Sequence, residues 1–290
     1  MKHIIIKLIS LLKKIIIFPR TLWKAFKHGG FSTINISLVN HGEILKDKKI
    51  LITGGSSGIG LSIAKKCIKE GAIVLITGKN EEKLNQAKVE INSCKLKTLV
   101  WDISIVSEIV DNLNNALEML DGEIDILVNN AGVMNGIQFP NVTEEIWNKI
   151  YDTNSKGLFF LTQSVGKLWM NIKNKKKQKK IINISSQGGF VGATYPYRMT
   201  KWDIAGLTQG LGIKLAPYGI IVNGIAPGII ATNMVTNYLK QNDNKYCNQN
   251  PLERFALPEE IAELAVFLMS DASNFIIGQT IVCDGGYSIK

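Results

Sequence analysis

The chain has 290 residues, a hydrophobic fraction of 46% and a formal net charge of +10. That length and that hydrophobic fraction suit one large α/β domain with a full core. Four cysteines without paired spacing indicate neither a zinc site nor a disulfide framework. All three histidines lie within residues 1–41, so the rest of the chain has no histidine for a metal site or a Ser-His-Asp triad.

The start of the chain is basic and apolar. Residues 1–42 contain seven basic residues and no acid, which leaves +3 for the remainder. Residues 4–18 are nearly all Ile, Leu and Phe, but lysines interrupt them, so the stretch is too short and too charged to span a membrane. On a helical wheel the cations gather opposite the apolar side chains, which is typical of a helix lying in a membrane interface. Pro19 should kink or end this helix.

Three interpretations of this extension remain open. We favour residues 1–27 as a peripheral contact with the inner face of a membrane, in an otherwise cytoplasmic protein. The helix could instead pack on the body or a partner subunit, or it could be a signal peptide or an artefact. A signal peptide is disfavoured because no small-residue cleavage site follows the apolar run. We predict an extension over residues 1–46, with one short strand at Asn35–Val39, and a single catalytic domain over residues 47–290.

The first predicted strand of the body, Ile50–Ile52, ends in a glycine-rich turn, and a helical pattern follows at once. Strand, glycine turn and helix form the phosphate-binding part of a nucleotide-binding unit, because the N–H groups and dipole at a helix start favour an anion. Gly54 permits the tight turn, Gly58 lets the backbone approach a pyrophosphate, and Gly60 lets the helix pack on the strand. The alternative is that the glycines only make a turn.

The second predicted strand, Ala72–Thr77, is followed by Gly78 and Lys79 and by no acid. In a fold of this kind an acid there binds the ribose 2′-hydroxyl, whereas a base suits a 2′-phosphate. Lys79 therefore favours NADP(H) over NAD(H), although a lysine at a strand end can simply be solvated. After the third strand, Asp102 can accept a hydrogen bond from the adenine amino group.

Strands and helices alternate through the rest of the body. The predicted elements are helix Glu81–Ser93, strand Lys97–Trp101, helix Ile105–Met119, strand Ile124–Asn129, helix Thr143–Met170, and strands Ile181–Ser185, Ile220–Ile225 and Thr280–Val282. This pattern predicts an α/β fold with one Rossmann-type doubly wound parallel sheet and helices on both faces. Six lysines between Lys173 and Lys180 should form a solvated loop. They do not indicate a nucleic-acid site, because no aromatic residues interleave with them.

Tyr197 and Lys201 lie four residues apart, on one face of a predicted helix. A lysine so placed stabilises phenolate and lowers the tyrosine pKa from its reference near ~10. The phenol could then pass a proton to a carbonyl oxygen near neutral pH. Ser186 ends the fifth strand, where its hydroxyl could hold the same oxygen. Ser185 should face the other way, because side chains alternate along a strand.

Over roughly residues 47–290 the chain resembles the classical short-chain dehydrogenases/reductases, with the 3-oxoacyl-acyl-carrier-protein reductases among them. The motifs that carry the resemblance are Thr53-Gly-Gly-Ser-Ser-Gly-Ile-Gly60, Asn129-Asn-Ala-Gly132, Asn154, Ser186, Tyr197 with Lys201, Pro227-Gly228 with Thr232, and Asp284-Gly-Gly286. Two features depart from the family pattern. The interval from Ser186 to Tyr197 is two residues shorter than is usual in the family. Residues 1–46 have no counterpart in the family pattern.

The resemblance implies a role for each motif. Tyr197 would be the general acid/base, Lys201 would also bind the nicotinamide ribose, Ser186 would steady the substrate oxygen and Asn154 would hold a water. The implied cofactor site comprises Thr53, Gly54, Ser56, Ser57, Gly58, Ile59, Gly60, Lys79, Asp102, Ile103, Asn129, Ala131, Gly132, Tyr197, Lys201, Pro227, Gly228, Ile230 and Thr232. A homodimer or homotetramer is implied as well.

We therefore expect an NAD(P)(H)-dependent oxidoreductase that transfers hydride between nicotinamide and a carbonyl or secondary alcohol. One alternative is an inactive dinucleotide-binding redox sensor, which would not need all four of the Ser, Tyr, Lys and Asn positions. The other is a sugar-nucleotide-modifying enzyme of the extended branch, whose glycine spacing and longer C-terminal domain this chain lacks. The substrate stays open between 3-oxoacyl chains, steroids, sugars and polyols, because the expected lid at residues 233–255 mixes apolar and polar residues.

Overall fold

The computed structural model describes Trp23, Val39 and residues 42–171, 178–231 and 246–289. Seven parallel strands form one sheet in the order β3-β2-β1-β4-β5-β6-β7. The strands are β1 (Lys49–Thr53), β2 (Ile73–Gly78), β3 (Leu96–Val100), β4 (Ile126–Asn129), β5 (Lys179–Ile184), β6 (Ile220–Pro227) and β7 (Thr280–Cys283). The predicted parallel sheet is confirmed.

Helices cover both faces of the sheet. They are α1 (Gly58–Lys69), α2 (Glu81–Ile91), α3 (Ile109–Met119), α4 (Glu144–Tyr151), α5 (Leu158–Met170), α6 (Pro196–Leu215) and α7 (Pro258–Met269). A π-helical stretch, Asp152–Gly157, joins α4 to α5, so the long helix expected from Thr143 is continuous but changes its hydrogen-bond pattern midway. Thr143 caps it, since its hydroxyl accepts from the N–H of Ile146 at 3.3 Å.

Alternation along β1 divides the apolar core into two layers. Ile50 and Ile52 belong to a buried cluster that includes Ile63 of α1 and Ala265 of α7. Leu51 belongs to a second cluster with Leu161 of α5. Burial of each such side chain contributes about 1.5–3 kcal/mol. The sheet is therefore held between two helix layers, as the doubly wound pattern requires.

The strand order reverses at β1, which pairs with β2 on one side and β4 on the other. The chain runs outward from β1 in both directions, so the loops that follow β1 and β4 separate at their carboxyl ends. In open parallel sheets this separation leaves a crevice that binds ligands.

The amino-terminal ends of the strands form the opposite edge of the sheet. Lysines at this edge place their ammonium groups against helix C-termini. Lys95 Nζ donates to the carbonyl of Gly71 after α1 at 3.1 Å, and Lys97 Nζ donates to that of Met119 in α3. A helix C-terminus has unpaired carbonyls and a partial negative charge, so a cation there is stabilising.

Lys179 and Lys180 belong to this edge, and the prediction of a solvated lysine loop is wrong for both. They open β5 and are 5% and 2% exposed. Lys180 Nζ donates to the carbonyl of Ser270 beyond α7, while Lys179 Nζ lies 2.9 Å from the Asp125 carboxylate. Both ammonium groups have anionic or carbonyl partners, which makes their burial tolerable. Residues 172–177 lie outside the described residues.

The packed body extends upstream of residue 47. Leu45 is fully buried in the core, and its N–H donates to the carbonyl of Glu70 at 3.0 Å. Lys66 Nζ donates to the carbonyl of Val39. The amphipathic helix predicted within residues 1–27 and the rest of the strand predicted at residues 35–39 lie outside the described residues. In the described part of the chain, no helix combines the length and apolar character needed to cross a membrane.

Candidate active site

A cavity of about 560 Å³ opens at the carboxyl ends of the strands, where the strand order reverses. Its volume suits a small-molecule ligand. The predicted site residues that line it are Gly54, Ser56, Ser57, Gly58, Ile59, Lys79, Asp102, Ile103, Ala131, Gly132, Ser186, Tyr197, Lys201, Pro227, Gly228 and Ile230. Thr232 lies outside the described residues. Thr53, Gly60, Asn129 and Asn154 are not among the described lining residues.

The glycine turn after β1 closes on the loop after β4. Gly54 has a φ of +63°, and a Cβ there would lie 2.8 Å from the Cα of Ala131. A Cβ on Gly60 would lie 2.5 Å from the carbonyl oxygen of Gly54. Gly60 therefore packs closely on the turn, which agrees with a packing role, and its contact with the cofactor stays a prediction.

Thr53 holds the two loops together. Its Oγ1 accepts from the N–H groups of Asn130 and Ala131, each at 3.1 Å. The Asn130 side-chain amide donates in return to the carbonyls of Thr53 and Gly54, at 3.0 and 2.9 Å. Thr53 therefore fixes the glycine turn against the loop that follows β4, because its hydroxyl binds the backbone of that loop. Asn130, the second residue of the Asn129-Asn-Ala-Gly132 motif, also lines the cavity.

The start of α1 fits a dinucleotide diphosphate. Ser57, Gly58 and Ile59 line the cavity, and within the described ranges Ser57 makes no side-chain cap and the first turn has no acid. Helix N–H groups without a cap carry a partial positive charge that favours an anion. The residues present therefore suit the phosphate groups of a nicotinamide cofactor.

A second lysine lies beside Lys79. Asn80, the residue after Lys79, caps α2 by accepting from the N–H of Lys83 at 2.8 Å. Lys83 lies in the first turn of α2 and, like Lys79, lines the cavity. The sequence signal was available: Lys83 follows Lys79 by four residues across a helix cap. Asp102 also lines the cavity, and its Oδ1 accepts from the Ser104 N–H and hydroxyl at 3.0 and 2.7 Å.

Ser186 and Tyr197 both line the cavity, where the Ser186 hydroxyl favours the ionised form of the Tyr197 phenol. Burial raises the pKa of the Tyr197 phenol, and the Ser186 hydroxyl opposes that rise. The Ser186 hydroxyl also accepts from the N–H of Gly188 at 3.1 Å. Ser185 instead donates to the carbonyl of Lys201 at 2.7 Å and so holds α6 against β5. The expected division between the two serines agrees with these contacts.

Lys201 is 4% exposed, and its ammonium lies 5.5 Å from the centre of the Tyr197 ring. Its Nζ donates to the carbonyl of Ile184 at 3.0 Å, and burial lowers the pKa of Lys201 to about 8. The expectation that Lys201 holds the Tyr197 pKa below its reference is not met. Desolvation dominates the tyrosine, while the lysine is directed at a strand carbonyl.

Asn154 and Asn129 do not reach the cavity with their side chains. Asn154 Oδ1 accepts from the Val133 N–H at 2.8 Å, and its Nδ2 donates to the Val133 carbonyl at 2.9 Å. Asn129 Nδ2 donates to Thr162 and Asn183 at 2.8 Å each. These amides bond other parts of the fold, and the assignment of both residues to the site stays a prediction. The water-holding role of Asn154 stays a prediction, and its place in a π-helical stretch is typical of functional positions.

Several further side chains of the cavity wall have no counterpart among the predicted site residues. They are Met134, Gln187, Tyr195, Arg198 and Gln249. The Tyr195 ring stacks on that of Tyr197 with centres 6.3 Å apart. Tyr195 and Arg198 flank the catalytic position in sequence, so their proximity could have been inferred. Gln249 could not, since it comes from a distant loop.

A dinucleotide-binding crevice with a serine–tyrosine–lysine group defines an oxidoreductase that uses NAD(P)(H). The family model described as enoyl-(acyl carrier protein) reductase matches residues 54–288. The chain belongs to the classical short-chain dehydrogenases/reductases, and neither alternative function is favoured.

Its relatives cover nearly the whole body. The chain is 36% identical over 251 residues to the 3-oxoacyl-[acyl-carrier-protein] reductase FabG of Aquifex aeolicus, covering 83% of this chain and 98% of that one. It is 33% identical over 250 residues to gluconate 5-dehydrogenase of Gluconobacter oxydans, covering 85% and 96%. The structure of a 3-ketoacyl-(acyl-carrier-protein) reductase from Brucella melitensis complexed with NADH matches with a TM-score of 0.78 at 30% identity, covering 84% and 100%.

Proposed function

We propose that the chain is an NADP(H)-preferring carbonyl reductase or alcohol dehydrogenase in which Tyr197 exchanges a proton with the substrate oxygen. The nicotinamide, when bound, supplies the hydride for reduction or accepts it in the reverse direction. In reduction, the Tyr197 phenol gives its proton to the carbonyl oxygen as the carbonyl carbon gains hydride, so the products are an alcohol and the oxidised cofactor. The placement of Ser186, Tyr197 and Lys201 in the wall of one dinucleotide crevice is the observation that carries this proposal.

The surrounding groups support the proton transfer. Ser186 can hold the same substrate oxygen as Tyr197, because both side chains line the same cavity. The Lys201 ammonium, 5.5 Å from the phenol ring, opposes the negative charge that the phenol acquires when its proton leaves. The low exposure of Lys201 strengthens that attraction, because water screens it little.

The test is turnover by Tyr197→Phe with a panel of aldehydes and ketones, followed at the nicotinamide absorbance band. Loss of the proton donor should lower the rate by ~10²–10⁴, while cofactor affinity changes little. Tyr195→Phe is the matched control, since it removes a hydroxyl from the neighbouring ring of the cavity and should keep most of the activity. A Tyr197→Phe rate within about threefold of the unmodified chain would contradict the proposal, because a lost general acid costs far more.

Lys79 and Lys83 support the NADP(H) preference. Both line the cavity beyond the end of β2, and Asp102 is the one acid among its described lining residues. Two bases without a facing acid suit a ribose 2′-phosphate better than a ribose 2′-hydroxyl.

The proposal includes an assembly and a location. We propose a homodimer or homotetramer formed through α4, α5 and α6, because large apolar side chains of these helices are exposed: Trp147, Phe159, Phe160 and Trp202. We also propose that residues 1–27 contact a membrane surface, on the basis of the charge and apolar pattern of that segment.

A further inference from the structure

Arg198 lies in the wall of the cavity, next in sequence to Tyr197. Its guanidinium carbon is 5.5 Å from the centre of the Tyr195 ring. That ring stacks in turn on Tyr197, with an angle of 17° between the ring planes. The charged group and the proposed proton donor therefore lie on either side of the Tyr195 ring in one cavity wall.

The guanidinium has little to satisfy it within the described part of the chain. Arg198 Nη1 donates to the carbonyl of Gly192 at 2.8 Å, and no described carboxylate pairs with it. An arginine has five N–H donors, so most of them stay available. Arg254, the other arginine of the described body, shows the contrast: it grips both oxygens of Glu260 at 2.8 and 2.7 Å.

Helix stability does not explain the position of Arg198. The residue falls in the first turn of α6, whose first turn contains no acid. A cation there opposes the positive end of the helix dipole, where Asp and Glu are favoured. The charge and the dipole instead add to one another toward an anion in the cavity.

The neighbouring side chains leave this charge uncompensated. Met134, Gln187 and Gln249 are neutral, and the single described acid of the wall, Asp102, already bonds Ser104. The cavity wall that contains Tyr197 thus presents the N–H donors of the Arg198 guanidinium, with the Lys201 ammonium as a second positive charge.

We propose that Arg198 binds a carboxylate of the substrate, so that the chain reduces oxo acids and, in reverse, oxidises hydroxy acids. This inference rests on the proposed function. The planar guanidinium fork matches a carboxylate through two parallel hydrogen bonds. The Tyr195 ring gives the guanidinium a cation–π contact, with the guanidinium carbon 5.5 Å from the ring centre. Arg198 and Tyr197 line the same cavity, so the carboxylate and the carbonyl of one small substrate can reach both residues.

The experiment compares straight-chain oxo acids, in which the carbonyl moves stepwise away from the carboxylate, with their methyl esters. The unmodified chain should prefer acids to the matched esters. Arg198→Gln should lower kcat/KM for the best acid by about 10- to 100-fold, mainly through KM, and leave the esters unchanged. Arg198→Lys should recover part of the loss, since lysine keeps the charge but not the fork. Lys214→Gln, which removes one exposed cation from the last turn of α6, is the control and should change neither series.

Other outcomes overturn the inference in recognisable ways. Equal losses for acids and esters in Arg198→Gln would show that the bond to Gly192 supports the loop and nothing more. A preference for esters, or for oxo compounds bearing a phosphate, would also refute carboxylate recognition. Failure of the proposed function looks different, because no carbonyl compound would then oxidise either reduced nicotinamide. In that event calorimetry of hydroxy acids with the unmodified chain and Arg198→Gln decides the inference: equal affinities refute it.

Discussion

Ser185 and Ser186 are neighbours in the chain, yet their hydroxyl groups serve different parts of the molecule. Ser185 donates to the backbone carbonyl of Lys201 and fixes α6, whereas Ser186 accepts from the N–H of Gly188 and lines the cavity together with Tyr197. The end of a strand produces this division, because successive side chains leave the backbone on opposite sides. Substituting Ser185 should therefore disturb the placement of α6. Substituting Ser186 should instead weaken the proposed binding of the substrate oxygen.

Lys79 and Lys83 should determine the cofactor preference together. We expect a higher kcat/KM with NADPH than with NADH, and a loss of about 10- to 100-fold with NADPH in Lys79→Asp, because a charge-assisted bond to phosphate is replaced by repulsion. Lys83→Asp should act in the same direction. Lys88→Asp is the control, because Lys88 lies on the exposed side of α2 and not in the cavity wall. A preference for NADH that neither cavity substitution changes would place the selecting residue elsewhere.

Side-chain amides show where inference from sequence ends at this scale. Tyr197, Lys201 and the glycine turn could be placed in one cavity because their spacing and motifs locate them on a helix face and a strand end. Asn129 and Asn154 could not, because their partners come from α5, β5 and the β4 loop. The pKa of Tyr197 escaped prediction for a similar reason, since desolvation depends on the whole surroundings of the ring.

Among the elements, β5 departs most from its expected form. The apolar run Ile181–Ile184 predicted the strand, but ionisable side chains normally indicate solvent, so Lys179 and Lys180 were placed in a loop. The sheet edge accepts them because helix carbonyls and the Asp125 carboxylate face them. The π-helical stretch was likewise unpredictable, since a change of hydrogen-bond partner leaves helical periodicity nearly intact.

Asp125 should be a major source of stability at this edge. Burial would raise the pKa of its carboxyl, but the Lys49 N–H at 3.0 Å and the Lys179 ammonium hold that pKa below its ordinary value. Removing one partner of a buried pair costs about 3–5 kcal/mol, so Asp125→Asn should lower the free energy of unfolding at neutral pH by roughly that amount. Asp121→Asn is the control. Asp121 is 68% exposed, and its contact with Lys49 at 3.7 Å should contribute less than about 1 kcal/mol.

The same carboxyl gives the stability of the chain a defined pH dependence. Its folded pKa lies below the unfolded reference near ~3.9, so its contribution is present above that pH and is lost as pH falls through the folded pKa. Denaturant unfolding at neutral and at acidic pH should show that the free energy of unfolding falls less with acidification in Asp125→Asn than in the unmodified chain. Equal acid losses in the two proteins would mean that other carboxyls account for it.

At the scale of the whole molecule, periodicity and glycine positions were enough to predict the fold, because each strand and helix has a buried face of its own. The N-terminal boundary of the folded body could not be predicted as well from the sequence. Leu45 belongs to the core although residues 1–46 had been assigned to the extension. A shortened version should accordingly begin at Gly42 and not at Lys46.

Sedimentation of that shortened version should show a dimer or tetramer. Phe159 is 43% exposed on α5, and an apolar surface of this kind is typical of an interface between subunits. Phe159→Glu should weaken the assembly, whereas Val89→Glu on α2, where the side chain is 79% exposed, should not. An active species that stays strictly monomeric would contradict the assembly.

Flotation with liposomes should separate full-length protein from the version that begins at Gly42. Each lysine near an anionic surface contributes about 1 kcal/mol, and the apolar side chains add to this attraction. We expect full-length protein to float with anionic vesicles and less with neutral ones, while the shortened version stays behind and keeps its activity. Equal flotation of both versions, or none on anionic vesicles, would refute the membrane contact.

The burial of Lys201 has a consequence for covalent chemistry. A lysine whose pKa is about 8 is largely unprotonated in mildly alkaline buffer, when ordinary lysines near ~10.4 remain cationic and unreactive. Burial also lowers the pKa of Lys180 to about 8, but Lys180 is not among the described residues of the cavity wall. A small acylating reagent should therefore modify Lys201 first, and a bound dinucleotide should shield it. The active-site lysine thus offers a point of attachment for electrophilic probes, selected by its nucleophilicity more than by its exposure.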